Sequence, residues 1–300
     1  MGALGVAPVA LTCGDPAGIG PELAGRAWQS LHDSVPFFWI GDPRHLPEGL
    51  DVQIISTPSG VTEAAGRGLP VLPHRFNAPA VPGTPSKENA AGVIEVIDRA
   101  VALVMAGEAS AICTAPISKK VLADWGGFRH HGHTEYLAEL AGAPDVVMML
   151  AAEELKVVPA TIHIPLASVP GALTAEKLET TLRITEAALR HDFGIEEPRI
   201  AVAGLNPHAG EGGLLGREDA GVIAPVIAKL TSEGLNISGP LPADTMFHGA
   251  ARARYDAAVA MYHDQALIPI KTLAFDRGVN VTLGLPFVRT SPDHGTAFDI

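Results

Sequence analysis

Three histidines stand at the ends of apolar segments that are typical of buried β-strands. His163 ends VVPATIH, His208 ends IAVAGLNPH and His263 ends AAVAMYH. One histidine at a strand end is more often a hydrogen-bonded structural group, but three on successive strands of one sheet favour a metal site. Three neutral imidazoles leave an open coordination position, as a Lewis acid requires, and suit zinc or another first-row divalent ion better than calcium.

Two aspartates accompany these histidines. Asp264 follows His263 directly, and Asp244 lies between His208 and His263 in the chain. Carboxylates near metal-binding imidazoles either orient the rings or carry protons. We expect one of these two roles for each aspartate.

Groups that bind anions are spaced through the last fifty residues. Lys271, Asn280 and Arg289 follow the last of the three histidines. Arginine offers a bidentate fork to phosphate or carboxylate, whereas lysine offers a point charge. Any one of them alone is better read as a surface residue or a salt-bridge partner, but together they predict an anion pocket.

A fourth anion-binding group is His133, in RHHGHTEYLAEL. Thr134 is predicted to cap a helix that begins at Glu135, which leaves His133 at a helix N-terminus where an anion is stabilised. His130 and His131 are predicted to be exposed loop residues. Adjacent side chains in a loop seldom converge on one ion, so these histidines are not expected to form a metal site.

Two glycine-rich segments, GDPAGIGP from Gly14 and GLNPHAGEGG from Gly204, follow predicted strands. The first fits neither the dinucleotide fingerprint G-x-G-x-x-G nor the nucleotide loop G-x-x-x-x-G-K-[ST]. It is either a tight turn or a ligand-facing loop. In the second, the many glycine and polar positions around one histidine suggest a backbone that approaches a ligand closely.

The elements that must position these groups alternate between strand and helix. Apolar segments predict strands at 6–12, 37–40, 52–55, 69–72, 109–114, 146–150, 157–164, 199–205 and 257–262, and helical periodicity predicts helices at 22–31, 87–106, 174–193 and 219–234. Alternation of this kind predicts an α/β fold with a largely parallel sheet covered by helices. Ligands in such sheets bind beyond the carboxyl ends of the strands.

Composition narrows the classes of protein. The 300 residues are 47% hydrophobic and 18% charged, which fits two α/β domains or one large one and argues against disorder. The net charge of −12 disfavours nucleic-acid binding. No signal peptide and no membrane-spanning apolar run is recognisable, so we predict no membrane association and a cytoplasmic location. Cys13 and Cys113 are predicted to be reduced thiols in the core.

Seven segments occur in an order that resembles the 4-hydroxythreonine-4-phosphate dehydrogenase family of pyridoxine biosynthesis, and the resemblance spans nearly the whole chain. They are GDPAGIGPE, TAPISKK, GHTEYLAE, GLNPHAGEGG, GPLPADTMF, AMYHDQALIPIK and GVNVTLGLPFVRTSPDHGTA. The resemblance implies two α/β/α domains similar to those of isocitrate and isopropylmalate dehydrogenases, with the active site in the interdomain cleft. We expect a first domain of residues 1–125 and 275–300 that carries the cofactor loop, and a second of 126–274 that carries the metal ligands and the dimer interface.

The resemblance also implies roles for individual residues. The metal ligands would be His163, His208 and His263, in a homodimer whose active site lies at the interface and takes one ligand from the partner. The substrate contacts would be His133, Thr134, Lys271, Asn280 and Arg289. The proton carrier would be Asp244 or Lys271, between which the sequence does not choose. NAD or NADP would bind the terminal loop His294, Gly295, Thr296 and Ala297, which explains the missing Rossmann fingerprint.

The implied reaction is oxidation of the 3-hydroxyl of 4-phosphooxy-L-threonine by NAD, followed by loss of CO2. The divalent metal, zinc first with magnesium or cobalt as alternatives, would lower the pKa of the hydroxyl. Family members continue for a further helical segment beyond the position of Ile300, which predicts a truncated sequence. Two other functions stay open, a dehydrogenase of the same family acting on threonate or erythronate 4-phosphate or on a cyclic diol, and a metal-dependent hydrolase.

Overall fold

Two units, each with its own strands and hydrophobic core, make up the chain. The computed structural model describes residues 7–130 and 132–300. The first unit extends to Pro144 and adds Leu285–Ile300, and the second is Asp145–Gly284. The structure thus divides the chain after residues 144 and 284, whereas the sequence suggested boundaries after residues 125 and 274.

The strands of the described residues are short and mostly buried. In chain order they are β1 Val9–Thr12, β2 Phe37–Gly41, β3 Val52–Ile54, β4 Leu69–Pro73, β5 Ala111–Thr114, β6 Val147–Ala151, β7 Lys156–Pro159, β8 Arg199–Ala203, β9 Asn236–Leu241, β10 Ala257–Ala260, β11 Val279–Leu283 and β12 Val288–Pro292.

Helices connect most of these strands. They are α1 Gly20–Leu31, α2 Val61–Ala64, α3 Lys87–Met105, α4 Lys119–Trp125, α5 His133–Ala141, α6 Val169–Ala172, α7 Ala175–His191, α8 Ala224–Ser232, α9 Gly249–Arg252 and α10 His263–Ala274. A π-turn at Asp219–Ile223 precedes α8, and a 3-10 turn at Ala243–Thr245 follows β9. No helix in the described ranges combines the length and apolarity needed to cross a bilayer.

The sheet of the first unit has the order β3-β4-β2-β1-β5-β12, and all its pairings are parallel. Its core is built on Phe38, Trp39 and Ile40 of β2, which are fully buried. Because the strands are parallel, their carboxyl ends meet at one edge, and the chain segments beginning at Cys13, Ala115 and Asp293 leave that edge.

The sheet of the second unit has the order β11-β6-β7-β10-β8-β9. The strands β7, β10, β8 and β9 are parallel, whereas β6 is antiparallel to both of its neighbours. The predicted largely parallel α/β fold is therefore confirmed.

Helical periodicity predicted the buried faces well. In α3 the side chains of Val93, Ile97 and Val101 are buried, and in α7 those of Leu178, Leu182 and Leu189 are buried. Three- and four-residue spacing places such side chains on one face, which packs on the sheet. Cys13 and Cys113 are free thiols, as predicted, with Cys13 buried and Cys113 half-buried.

Candidate active site

The three strand-end histidines leave the same edge of the second unit's sheet. His163 follows β7, His263 follows β10 and His208 follows β8, and these strands are parallel neighbours in that order. Two hydrogen bonds tie the first two turns together: Ala160 donates its N–H to the carbonyl of Ala260 at 2.8 Å, and the Thr161 hydroxyl donates to the carbonyl of Met261 at 2.7 Å.

The imidazoles of His163 and His263 face each other, with ring centroids 5.5 Å apart and planes 42° apart. Two imidazoles that bind one zinc ion at about 2.0 Å in tetrahedral geometry hold their ring centres about 5 Å apart. His263 Nδ1 lies 2.7 Å from Asp264 Oδ1, and because a carboxylate can only accept, Nδ1 donates this hydrogen bond and Nε2 is the ring nitrogen available to a metal. The spacing of the two rings and the hydrogen bond that orients His263 therefore fit two ligands of one metal ion.

His208 does not join this pair within one chain. Among the residues that the structure describes, no three histidine, cysteine, aspartate or glutamate side chains are grouped closely enough to hold a metal ion. The His208 ring is exposed and lies 3.3 Å, through Nδ1, from Glu211 Oε2. The three histidines thus share an edge of the sheet but do not converge in a single protomer.

The backbone that carries His208 is left-handed over several consecutive residues. His208, Ala209, Gly210, Glu211 and Gly212 have φ values of 53°, 51°, 80°, 42° and 67°. Left-handed backbone costs a residue with a Cβ about 1–2 kcal/mol, so a run of this kind persists only where other contacts hold it.

Asp219 supplies those contacts from below the loop. Its side chain is 2% exposed, and its two oxygens accept hydrogen bonds from the N–H groups of Leu205 at 2.8 Å and Asn206 at 3.3 Å and from the Asn206 side-chain amide at 2.9 Å. Sequence reasoning placed Asp219 at a helix start and missed this role, because only the folded chain brings it under residues 204–210.

Gln265 makes a second link that the sequence did not reveal. Its side-chain oxygen accepts the N–H of Met261 at 2.7 Å, and its amide donates to the carbonyl of Gly204 at 2.8 Å. It therefore joins the turn that bears His263 to the loop that bears His208.

Asp244 lies at the same edge, in the 3-10 turn after β9, and its carboxylate is exposed. That turn lies next to the His208 turn. Lys271 is half-buried in α10, with its ammonium 5.8 Å from the centre of the Phe275 ring. Asn280 is half-buried in β11, and its Oδ1 atom is buried without a hydrogen-bond partner among the described residues.

In the first unit, His133 is the first residue of α5. The prediction that Thr134 caps a helix beginning at Glu135 is wrong, because the N-cap is Gly132 and makes no side-chain cap bond. Thr134 is instead half-buried within the first turn. The prediction that His133 stands at the helix N-terminus is correct.

His133 is held neutral by its surroundings. Burial, and then the positive charges of Arg289 and Lys119, lower the pKa of His133 to about 3. Its Nε2 atom is buried and has no hydrogen-bond partner among the described residues. A buried polar atom in this state is uncommon and has a ligand as one explanation.

Arg289 extends from β12 and is 3% exposed. It donates to the Thr114 hydroxyl at 2.7 Å, and burial lowers its pKa to about 10, so it stays charged at neutral pH. A buried guanidinium beside a neutral imidazole creates a local positive charge in a chain of negative net charge.

The terminal loop packs on the first glycine turn. The N–H of Ile19 donates to the carbonyl of Thr296 at 3.0 Å, and a Cβ added to Gly18 would lie 2.7 Å from that carbonyl oxygen. His294 and Gly295 are exposed, and Ala297 has a φ of 51°. The GDPAGIGP turn thus supports the predicted cofactor loop.

His130 differs from its prediction. Its side chain is 21% exposed, because the ring packs against Phe128 and Tyr136 with centroid distances of 5.2 and 4.8 Å. The expectation for His131 lies outside the described residues.

Positive φ angles at residues other than glycine fall only in the candidate loops, within the ranges that the structure describes. The residues are His163, His208, Ala209, Glu211 and Ala297. Strained backbone concentrates at functional sites because selection tolerates its cost there. This observation marks the predicted metal and cofactor loops independently of their residue types.

Comparison with known proteins agrees with the resemblance. The sequence model of the pyridoxal phosphate biosynthetic protein PdxA matches residues 34–300. A protein of Roseobacter denitrificans named 4-hydroxythreonine-4-phosphate dehydrogenase is 61% identical over 295 residues, which is 98% of this chain and 90% of that protein.

Solved structures agree as well. A 4-hydroxythreonine-4-phosphate dehydrogenase from Klebsiella pneumoniae has a TM-score of 0.88 and 38% identity, covering 98% of this chain and 93% of that one. A terephthalate 1,2-cis-dihydrodiol dehydrogenase from Burkholderia xenovorans has a TM-score of 0.70 and 30% identity, covering 98% and 91%. The chain therefore belongs to the PdxA family of pyridoxal phosphate biosynthetic proteins.

Proposed function

We propose that this chain is an NAD-dependent, metal-dependent dehydrogenase that oxidises and decarboxylates 4-phosphooxy-L-threonine to 3-amino-2-oxopropyl phosphate, in pyridoxal phosphate biosynthesis. The observation that carries the proposal is 61% identity, over 98% of the chain, to a protein named for this activity. The groups at the carboxyl edges of the two sheets are of the types that the reaction needs. A cytoplasmic location stays a prediction.

His163 and His263 fit a divalent metal, since their rings are spaced as two ligands of one ion and Asp264 orients His263. These residues would hold a divalent ion, zinc first with magnesium or cobalt as alternatives, which would supply Lewis-acid polarisation of the substrate hydroxyl. We propose His208 of a second copy of the chain as the third ligand, because His208 does not reach the pair in its own chain.

Exposed apolar side chains support a homodimer. Ile164 and Leu166 follow His163, and Leu214 and Leu215 follow the His208 loop, and all four are exposed. Apolar side chains concentrated beside candidate ligands are typical of a surface that a partner covers. Pairing of two copies through these segments would exclude water from the imidazole pair.

In the first unit we propose His133, Thr134 and Arg289 as substrate contacts. Arg289 supplies a buried positive charge, and neutral His133 can donate a hydrogen bond from Nε2 to an anionic oxygen. In the second unit, Lys271 and Asn280 have the same proposed role, and the buried Asn280 Oδ1 without a partner is consistent with it.

The proton carrier is proposed to be Asp244 or Lys271. Asp244 is exposed beside the His208 turn, where it can exchange protons with solvent, whereas Lys271 is half-buried. NAD or NADP, which accepts the hydride, is proposed to bind the loop of His294, Gly295, Thr296 and Ala297. The hydrogen bond from Ile19 holds this loop in place from the side of the glycine turn.

The test mixes two inactive variants, His208→Ala and His263→Ala. If the metal site takes His208 from the partner, each variant alone loses turnover with its fold intact. A mixed dimer regains one complete site out of two, so equal mixing restores about a quarter of the wild-type rate of NADH formation. If all ligands came from one chain, the mixture would stay inactive, and full activity of either single variant would remove the metal from the mechanism.

A second candidate within the family is oxidation of a cyclic diol, which is favoured by the likeness to a dihydrodiol dehydrogenase at 30% identity. A buried arginine beside His133 favours an anionic substrate, which a phosphorylated hydroxy acid such as threonate or erythronate 4-phosphate and a carboxylated diol both satisfy, so activity on each must be compared. Comparison of these substrates by NADH absorbance separates the alternatives. A metal-dependent hydrolase would need no nucleotide and release no CO2, so one assay with and without NAD excludes or supports it.

A further inference from the structure

Two adjacent lysines open helix α4, and the structure gives them different surroundings. Lys120 pairs with Asp124 one turn further along the helix, at 2.6 Å. The Lys119 side chain has neither a hydrogen bond nor an ion pair within the part of the chain that the structure describes. Only Lys120 thus forms an ordinary surface ion pair.

Lys119 extends toward the start of α5. A Cβ added to Gly132 would lie 3.1 Å from Lys119 Cε and 3.3 Å from its Nζ, so the lysine occupies the space that a larger residue would fill. Gly132 is the N-cap of α5 and directly precedes His133. The ammonium group therefore lies beside the first turn of a nine-residue helix, whose N-terminal N–H groups have no side-chain cap.

Three groups near the start of α5 favour an anion. His133 Nε2 is buried without a partner among the described residues, the Arg289 guanidinium is buried, and the positive charges of Arg289 and Lys119 both act on the His133 ring. Two positive charges near a buried imidazole disfavour its protonation, because both would repel the charged ring. Glu135 Oε2 lies 3.5 Å from the same point near Gly132, yet it forms no ion pair with Lys119.

We propose that Lys119 is a further substrate-binding residue, which together with His133 and Arg289 binds a phosphate group. The ligand's identity as the substrate phosphate rests on the proposed function. The buried Arg289 contributes fixed hydrogen-bond donors, His133 contributes one neutral donor, and the exposed Lys119 contributes a mobile point charge. Because Lys119 is exposed and its stem is flexible, it can follow the phosphate as it enters.

The two lysines provide matched variants, Lys119→Met and Lys120→Met. Both remove one positive charge at the start of the same helix and keep an unbranched side chain. We expect Lys119→Met to raise KM for the phosphorylated substrate about ten- to a hundredfold, as loss of one charge-assisted contact does. KM for NAD should not change, Lys119→Arg should recover part of the loss, and Lys120→Met should behave as wild type.

A second measurement does not depend on turnover. Inorganic phosphate is titrated into each variant while the His133 ring signals are followed by NMR. In the wild type and in Lys120→Met the signals should shift with phosphate at the same concentration, and in Lys119→Met about tenfold more phosphate should be needed. Equal phosphate affinity in both lysine variants, or an effect of Lys119→Met on KM for NAD alone, would overturn the proposal.

The two measurements separate this inference from the proposed function. Phosphate binding that depends on Lys119 in a protein that does not oxidise 4-phosphooxy-L-threonine would sustain the anion site and refute the substrate. Oxidation of that substrate with equal KM in both variants would sustain the function and refute the role of Lys119. Circular dichroism of each variant identifies a change of fold.

Discussion

Replacement of Asp219 tests whether the backbone around His208 is held in its left-handed form by a single buried carboxylate. Asp219 accepts hydrogen bonds from the N–H groups of Leu205 and Asn206 and from the Asn206 side chain. Gly210 lies directly above it, since a Cβ there would be 3.1 Å from Asp219 Oδ2. The carboxylate thus fixes the loop before and within the left-handed run.

The magnitude follows from two opposing contributions. Left-handed backbone at His208, Ala209 and Glu211 costs about 1–2 kcal/mol each, or about 3–6 kcal/mol together. Three hydrogen bonds to a charged acceptor contribute about 1.5–3 kcal/mol each, or about 4.5–9 kcal/mol together. The hydrogen bonds to the carboxylate therefore outweigh the backbone strain by only a few kcal/mol. Without them, in Asp219→Ala, the loop should relax.

If His208 is a metal ligand, relaxation of the loop lowers the fraction of molecules that present it. A loss of about 3 kcal/mol corresponds to a metal affinity about 150-fold weaker, which calorimetric titration with zinc can measure. Glu218→Gln is the matched control, because Glu218 accepts one bond from the Asn206 side chain at 2.8 Å and is half-buried. We expect that control to change zinc affinity less than tenfold.

Two results would contradict this reasoning. One is wild-type zinc affinity in a folded Asp219→Ala variant, and the other is an equal loss in Glu218→Gln. If the alanine variant fails to fold, Asp219→Asn keeps the shape and one acceptor oxygen, and its zinc affinity decides. Amide hydrogen exchange at residues 205–212 should rise in step with the loss of affinity.

Two further predictions concern the first unit. His133 has a folded-state pKa of about 3, against 6.5 ordinarily, so below pH 6.5 the unfolded chain binds a proton that the folded chain does not. The free energy of unfolding then falls with decreasing pH by up to about 1.4 kcal/mol per pH unit. Urea denaturation of His133→Gln should show a shallower fall between pH 6.5 and 4. Gly18→Ala would place a methyl group 2.7 Å from the Thr296 carbonyl oxygen and displace the terminal loop. KM for NAD should therefore rise several-fold, while KM for the phosphorylated substrate stays constant. Gly249→Ala, where the added methyl meets open space, is its control, and equal kinetics of the two glycine variants would argue against a cofactor role for the loop.

Much of the fold could be predicted from local patterns of apolar residues in the sequence. Apolar runs gave the strands, and three- and four-residue spacing gave the buried faces of α3 and α7, because burial on one face is a local property of an element. The positions of His163, His208 and His263 followed from the same logic, since a histidine that ends an apolar run in a parallel sheet must emerge at the carboxyl edge.

The start of α5 shows where local pattern failed. Threonine is a common N-cap, and a cap at Thr134 was a reasonable prediction. The helix instead begins after Gly132, whose missing side chain leaves room for Lys119 from a different helix. That contact joins residues more than ten positions apart, and helix or cap propensities cannot predict it because they describe only neighbouring residues. Asp219 was missed for the same reason, because its role depends on the fold that brings it under the His208 loop.

The distribution of backbone strain connects these cases. In the described residues, positive φ at a residue other than glycine occurs at His163, in the run around His208 and at Ala297. These residues all lie in loops outside the strands, and at two of the loops a contact from another segment holds the backbone. At His208 the holding group is Asp219, and at the terminal loop it is the turn at Gly18 and Ile19. A variant that releases a loop should therefore lose binding at that loop before it loses the fold, since the sheet beneath does not depend on the strained residues.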